Sequence, residues 1–231
     1  MPPFLAGFTL FDAVAFAVLI AGWQLIGWMI EHSSDKRPST SRVMKQYRRD
    51  WLVQYVTRQP RIFDSSVLAS LRQGTTFFAS ACMISIGGGL ALLGNTDRLE
   101  GVATDLTAAT APEHVWEAKI LVVILLVASG FLGFVWAHRL FGYCAVVMAS
   151  VPNDPDDPAA YPRAAKAAEI NINAARSYNR GLRAIYFAMA ALAWFLGPLA
   201  LLISTVGTFV VLWRREFASK SRATLLTPDP E

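Results

Sequence analysis

Four long apolar runs, separated by charged or turn-forming segments, set the pattern of this chain. Between Asp12 and Glu31 the stretch AVAFAVLIAGWQLIGWMI carries one polar amide, Gln24. No charged residue interrupts Gln73 to Thr96. After Lys119 comes ILVVILLVASGFLGFVWAH, which meets a charge only at Arg139. The thirty residues between Arg183 and Arg214 are uncharged. A helix needs roughly 20 apolar residues to cross a bilayer. The pattern therefore predicts an all-α, polytopic integral membrane helical bundle with four transmembrane helices. It forms a single membrane domain over 1–231, with spans at about 11–30, 75–94, 120–138 and 185–212.

Composition agrees. Hydrophobic residues make up 54% of the chain and charged residues 16%, with a mean hydropathy of +0.39. Ordinary soluble domains carry about 25% charged residues. The first run is not expected to be a signal peptide, because no Lys or Arg precedes it and no small-residue cleavage site follows. Topology is read from Lys and Arg near the spans. Nine lie between spans one and two and six between spans three and four. Two lie between spans two and three, four in the tail and none before span one. This bias assigns 31–74 and 139–184 to the cytoplasm and both termini to the opposite side. The tail sequence RREFASKSR disagrees, since it looks cytoplasmic itself. A chain that bends back at Gly197-Pro198 would remove the disagreement, leaving two short arms in place of one span.

Between the first two spans, SRVMKQYRRDWLVQYVTRQ puts Val43, Met44, Tyr47, Trp51, Tyr55 and Val56 at helical spacing. The basic residues fall largely elsewhere around the helix. That pattern predicts a cytoplasmic amphipathic interfacial helix, with Lys45, Arg48 and Arg49 facing anionic lipid headgroups. The alternative is a helix packed on its neighbours. Asp64 or Ser65 is a candidate N-cap for the helix leading into span two. VPNDPDDPAAYP, residues 151–162, is turn chemistry, and its three aspartates lack the glycine and distal glutamate of an EF-hand loop. The alanine-rich stretch after Pro162 has helical composition.

The chain echoes itself. Shifted by 109 residues, Gly88 falls on Gly197 and Leu90-Ala91-Leu92-Leu93 falls on Leu199-Ala200-Leu201-Leu202. Shifted by 108, Trp28 falls on Trp136. Two parallel helical hairpins would produce this, and so would chance among a few apolar residue types. If the echo is structural, Gly87, Gly88 and Gly89 in one half and Gly197 and Pro198 in the other interrupt two spans at equal depth. Such paired interruptions mark binding sites in transporters. Glycine also simply lets helices approach, and Ala81, Ser85 and Gly89 form a small-residue stripe. The same register brings Glu31 and Arg139 to similar depth, as a candidate ion pair joining the halves.

RQPRIFDSSVLASLRQGTTFFASACMISIGGGLALLG, AHRLFGYCAVVMAS, SYNRGLRAIYFAMAALAWFLGP and VVLWRREFAS resemble the bacterial membrane family called domain of unknown function 599. The resemblance runs from about Arg42 to Ser219. It implies a four-span inner-membrane protein and transfers no catalytic residue.

No nucleophile motif, phosphate loop or metal-ligand cluster occurs, and His32, His114 and His138 are far apart. Cys82 and Cys144 read as small buried hydrophobes. Glu117 and Lys119 are expected to solvate the outer end of span three, and no acidic residue lies deep in a span. The expectation is a non-enzymatic protein of the bacterial inner membrane, with no cofactor and no metal. It would act as a scaffold or assembly partner through helix packing and the basic helix, without nucleic acid. Its expected partners are anionic lipids and either further copies of itself or another membrane protein. The competing reading is a subunit of an oligomeric channel or transporter with a site at the glycine- and proline-interrupted helices.

Overall fold

The computed structural model describes residues 7–94 and 112–228. Arg98, which entered the charge count, lies outside them. Among the described residues there are seven α-helices and no strand: α1 Leu10–Glu31, α2 Thr40–Thr57, α3 Ile62–Leu93, α4 Glu113–Ala149, α5 Ala160–Leu192, α6 Pro198–Phe217 and α7 Lys220–Leu226. Four stretches are long and apolar enough to cross a membrane: Leu10–Glu31, Ile62–Leu93, Glu113–Ala149 and Pro198–Leu226.

The last of these differs from the span read at 185–212. That run is two helices. After α5 the chain tightens into a 3-10 turn, Ala193–Leu196, and reverses at Gly197, whose φ is +115°. Side chains avoid that conformation, so glycine is needed there. Pro198 then opens α6, where its missing N–H is no loss because the first turn has no acceptor for it. The Ser204 hydroxyl donates to the carbonyl of Ala190 at 2.9 Å, so α6 folds back along α5.

The chain forms two compact units. Unit 1 is Met1–Met29, Ala81–Gly130 and Leu182–Arg214. Here α1 runs antiparallel to the end of α5. The contacts step from Gly27 against Arg183, through Gly22 against Phe187, to Asp12 against Trp194. Trp116 stacks on Phe195 with centroids 6.1 Å apart. Only 6% of the apolar window of α3 is buried within the chain.

Unit 2 is Ile30–Ser80, Phe131–Gly181 and Arg215–Glu231. Its core joins Leu52, Tyr55 and Val56 of α2 to Phe141, Cys144 and Met148 of α4 and to Ala160, Ala164, Ala167 and Ala168 of α5. The alanines keep α5 thin, so its neighbours come close without large side chains to order. Ser39 caps α2 by accepting from the Arg42 amide and ties it back to α1 by donating to the carbonyl of Ile30. The tail packs on α2. Glu216 accepts from the amide and hydroxyl of Ser41, Arg222 donates to the carbonyl of Pro38, and Tyr47 donates to that of Leu225. The tail therefore lies with the basic segment 31–72, contrary to the expectation that both termini lie opposite it. The bend at Gly197 is what returns it.

A close helix approach in unit 2 lies where α4 meets α5. A Cβ on Gly133 would stand 3.1 Å from both Cα and N of Gly181 and from the carbonyl oxygen of Ser177. Backbone cannot yield as a side chain can. Gly133→Leu is expected to destabilise the detergent-solubilised protein by about 1–3 kcal/mol, the usual scale of overpacking. Gly142→Ala, on the same helix with nothing within 4 Å of the added methyl, should be neutral or slightly stabilising. Thermal denaturation of the two variants checks this, and equal effects would refute it.

Candidate functional site

The basic residues concentrate in unit 2. Every Lys and Arg of the chain belongs to it except Arg98, Lys119, Arg183 and Arg214. On α2, the side chains of Arg42, Lys45, Gln46 and Arg49 recur at the three- and four-residue spacing of one helix face. With Asp35 from the preceding loop they line an open cleft of about 480 Å³. Arg42 is fixed by its amine groups, one donating to the carbonyl of Ser33 and the other to Asp35 at 2.6 Å. Arg49 pairs with Glu169 of α5 at 2.7 Å. Lys45 makes no hydrogen bond or ion pair among the described residues, and it is half-buried. Desolvation pushes its ammonium below the usual lysine range, and Arg176 and Arg42 push it further down. Of the three cations in the cleft, Lys45 alone is uncommitted to a carboxylate or carbonyl among the described residues.

Arg48 is different. Its guanidinium turns inward to the side-chain carbonyl of the fully buried Asn171, and burial pushes its pKa down. Lys45, Arg48 and Arg49 therefore do not form the lipid-facing row the sequence predicts. The C-terminal part of the apolar face of α2, at Leu52, Tyr55 and Val56, is covered by α4 and α5. Of the two sequence readings, the packed helix is the one that forms.

The remaining sequence candidates are dispersed. Gly87, Gly88 and Gly89 lie within the unbroken helix α3 and do not interrupt it. A Cβ at Gly87 or Gly88 would meet nothing within 4 Å, whereas one at Gly89 would stand 2.8 Å from Ile124. Gly89 thus serves close packing. Gly197 and Pro198 do break the chain, so positions matched by the 109-residue shift are built differently. The reason is local: glycine in a helix with apolar neighbours stays helical, while glycine followed by proline cannot carry the helix on.

Nor does Glu31 pair with Arg139. Its carboxylate takes two bonds from Arg180 of α5, one from Nε at 2.8 Å. Arg139 donates to the hydroxyl of Tyr143, one turn along its own helix, at 3.0 Å. The register from self-similarity misses that α5, and not α4, carries the cation facing the end of α1.

Two polar groups escaped the sequence reading. Asp12 is only 7% exposed, and its carboxylate accepts from the indole of Trp194 at 2.8 Å and from Thr9. Lys119, expected to solvate a helix end, is equally buried, with its ammonium 4.7 Å from the ring of Trp116. In unit 2, Asp64 is fully buried and accepts from Trp51 and Arg58. The sequence offers Asp64 or Ser65 as the N-cap, but α3 begins at Ile62, so Asp64 lies within its first turn, where an anion suits the helix dipole.

These features coincide with one family. The family model described as "Protein of unknown function, DUF599" matches residues 14–221. The chain belongs to the DUF599 family. No curated protein and no solved structure matches it. The match includes α2 to α6 entirely, so both the basic cleft and the Gly197 reversal lie within the family region.

The Glu31 grip on Arg180 generates a charge-swap test. Arg180 is more than half exposed, and such pairs contribute about 0–1 kcal/mol. Arg180→Glu, which sets two carboxylates face to face, should lower the melting temperature more than Arg180→Ala. Adding Glu31→Arg should restore much of the loss. Additive effects in the double variant would mean that the pair is not coupled.

Proposed function

We propose that this chain is a non-catalytic scaffold of the bacterial inner membrane that holds a prefolded basic module at the cytoplasmic surface and recruits an acidic partner there. The observation that carries the reading is the cleft of α2. Its helix is locked by a closed apolar core behind and by the tail in front, while Lys45 remains uncommitted between Arg42 and Arg49. A preorganised charged surface loses little freedom on binding, and complementary charge raises the rate and selectivity of association. The competing channel or transporter reading relied on two interrupted spans, and α3 supplies no interruption.

The reading includes five crossings of the membrane. The end of α5 from Arg183 onward follows α1 residue by residue as far as Asp12, and α6 returns alongside it. Under the positive-inside rule α2 and the tail then face the cytoplasm together. Single cysteines introduced by Ser34→Cys and Ala218→Cys, in a background lacking Cys82 and Cys144, should both resist an impermeant thiol reagent in intact cells. Both should react after lysis. Labelling of Ala218→Cys alone in intact cells would restore the four-span topology.

Partner recruitment is tested on the full-length protein in cells. A photo-cross-linking residue at the exposed position Gln46 should capture one discrete partner other than the chain itself. Lys45→Glu combined with Arg49→Glu should reduce that capture at least about tenfold without reducing the amount of folded protein. Capture that ignores the charge reversal, or yields only lipid, overturns the proposal.

A further inference from the structure

Unit 2 holds a second cavity, separate in its residues from the α2 cleft. It is a half-open groove of about 290 Å³ along the first turns of α3, facing α4. Arg61, Ser65, Ala69 and Arg72 line it, recurring at three- and four-residue intervals and therefore on one face of the chain entering α3. Leu68, also on α3, and Met148 of α4 complete a largely apolar wall. Arg61 is held rigidly. Its two amine groups donate to the carbonyls of Val151, Val56 and Pro152 at 2.8–3.1 Å, and its guanidinium lies 4.4 Å from the ring centroid of Tyr55. Even so, its buried Nε–H has no acceptor. Arg72 donates to Nε2 of His138 at 3.4 Å, and its buried Nε–H also lacks an acceptor.

A buried guanidinium N–H without an acceptor is costly and calls for an oxygen ligand, which phosphate and carboxylate supply best. An apolar groove calls for hydrocarbon. The two requirements sit in one cavity, and they describe an amphiphile. Arg72 is the last charged residue before the uncharged run from Gln73 to Thr96, so its end of the groove adjoins the apolar part of α3. Arg61 lies eleven residues earlier, about 16 Å away along a helix rising 1.5 Å per residue. Hydrocarbon can therefore enter past Arg72 while a polar head reaches Arg61.

We propose that this groove binds a single-chain anionic lipid drawn from the adjoining leaflet, with its phosphate or carboxylate on the Nε–H of Arg61 and its chain lying over Leu68, Ala69 and Met148. The volume admits one chain. Arg61 makes no ion pair among the described residues, so its charge favours net anions over zwitterions, and its Nε–H, buried in the free protein, is reached as the side chains over it shift.

The test uses the full-length protein in a neutral detergent. Native mass spectrometry compares lysophosphatidic acid, lysophosphatidylcholine and inorganic phosphate as probes. Lysophosphatidic acid should bind one to one, at least about tenfold more tightly than lysophosphatidylcholine, and inorganic phosphate should not displace it. Ala69→Phe, which fills the groove from an exposed position, should weaken binding at least about tenfold with the melting temperature unchanged or raised. Arg61→Lys, which keeps the charge but loses the Nε–H, should weaken it severalfold. Should Arg61→Lys fail to fold, Ala69→Phe decides alone. Equal binding of the two lysolipids, displacement by inorganic phosphate, or unchanged affinity in Ala69→Phe would each overturn the proposal.

Discussion

A chain that doubles back between two packed helices must leave every backbone group a partner, and this fold depends on one such reversal. A buried backbone group left without a partner costs about 1–3 kcal/mol, so an irregular turn packed against neighbours must satisfy its own groups. Gly197-Pro198 meets the constraint with the groups at hand. The amide of Gly197 donates to the carbonyl of Trp194, its own carbonyl accepts from Leu201, and proline has no amide to satisfy. Everything downstream follows. Because α6 returns along α5, the tail meets Ser41 and Pro38, and the first turn of α2 acquires its lid.

Close approach is the second organising device, and it is achieved by deletion of side chains. Between α4 and α5 the backbones nearly touch at Gly133 and Gly181, and five buried alanines of α5 continue the thin interface. Close approach enlarges the contact area, and dispersion across it helps to hold the two helices together. Large apolar residues are correspondingly displaced outward: Ile84, Leu132, Ile203 and Val146 are each at least 65% exposed.

The apolar runs, the helical class and the family resemblance were legible in the sequence because each rests on composition over tens of residues. Partner choice was not. Glu31 faces Arg180, which lies on a helix whose first half reads as an alanine-rich aqueous segment, so hydropathy offered no reason to bring it to the end of α1. Likewise α2 shows an amphipathic pattern, but periodicity reports only that one face is apolar. Whether lipid or protein covers that face depends on α4 and α5, which extend well past the length a bilayer needs. At 37 residues, α4 is roughly 55 Å long against about 30 Å of hydrocarbon. The Gly197 break was legible as an alternative, and the conflict of tail charge with four crossings was its signal.

The overlong helices explain why charge collects in unit 2. A helix that projects beyond the hydrocarbon must finish its carbonyls in polar surroundings, and arginines are the natural donors because their stems span apolar surface while their forks reach oxygen. Arg61 and Arg163 do this at the end of α4, taking the carbonyls of Val151, Pro152 and Ser150. In the proposed topology the same cations also supply the asymmetry that orients the protein. One local requirement thus serves folding and topology together. Where such an arginine keeps a donor in excess of the carbonyls within reach, as Arg61 does, the same structural group becomes a place for an anion to bind.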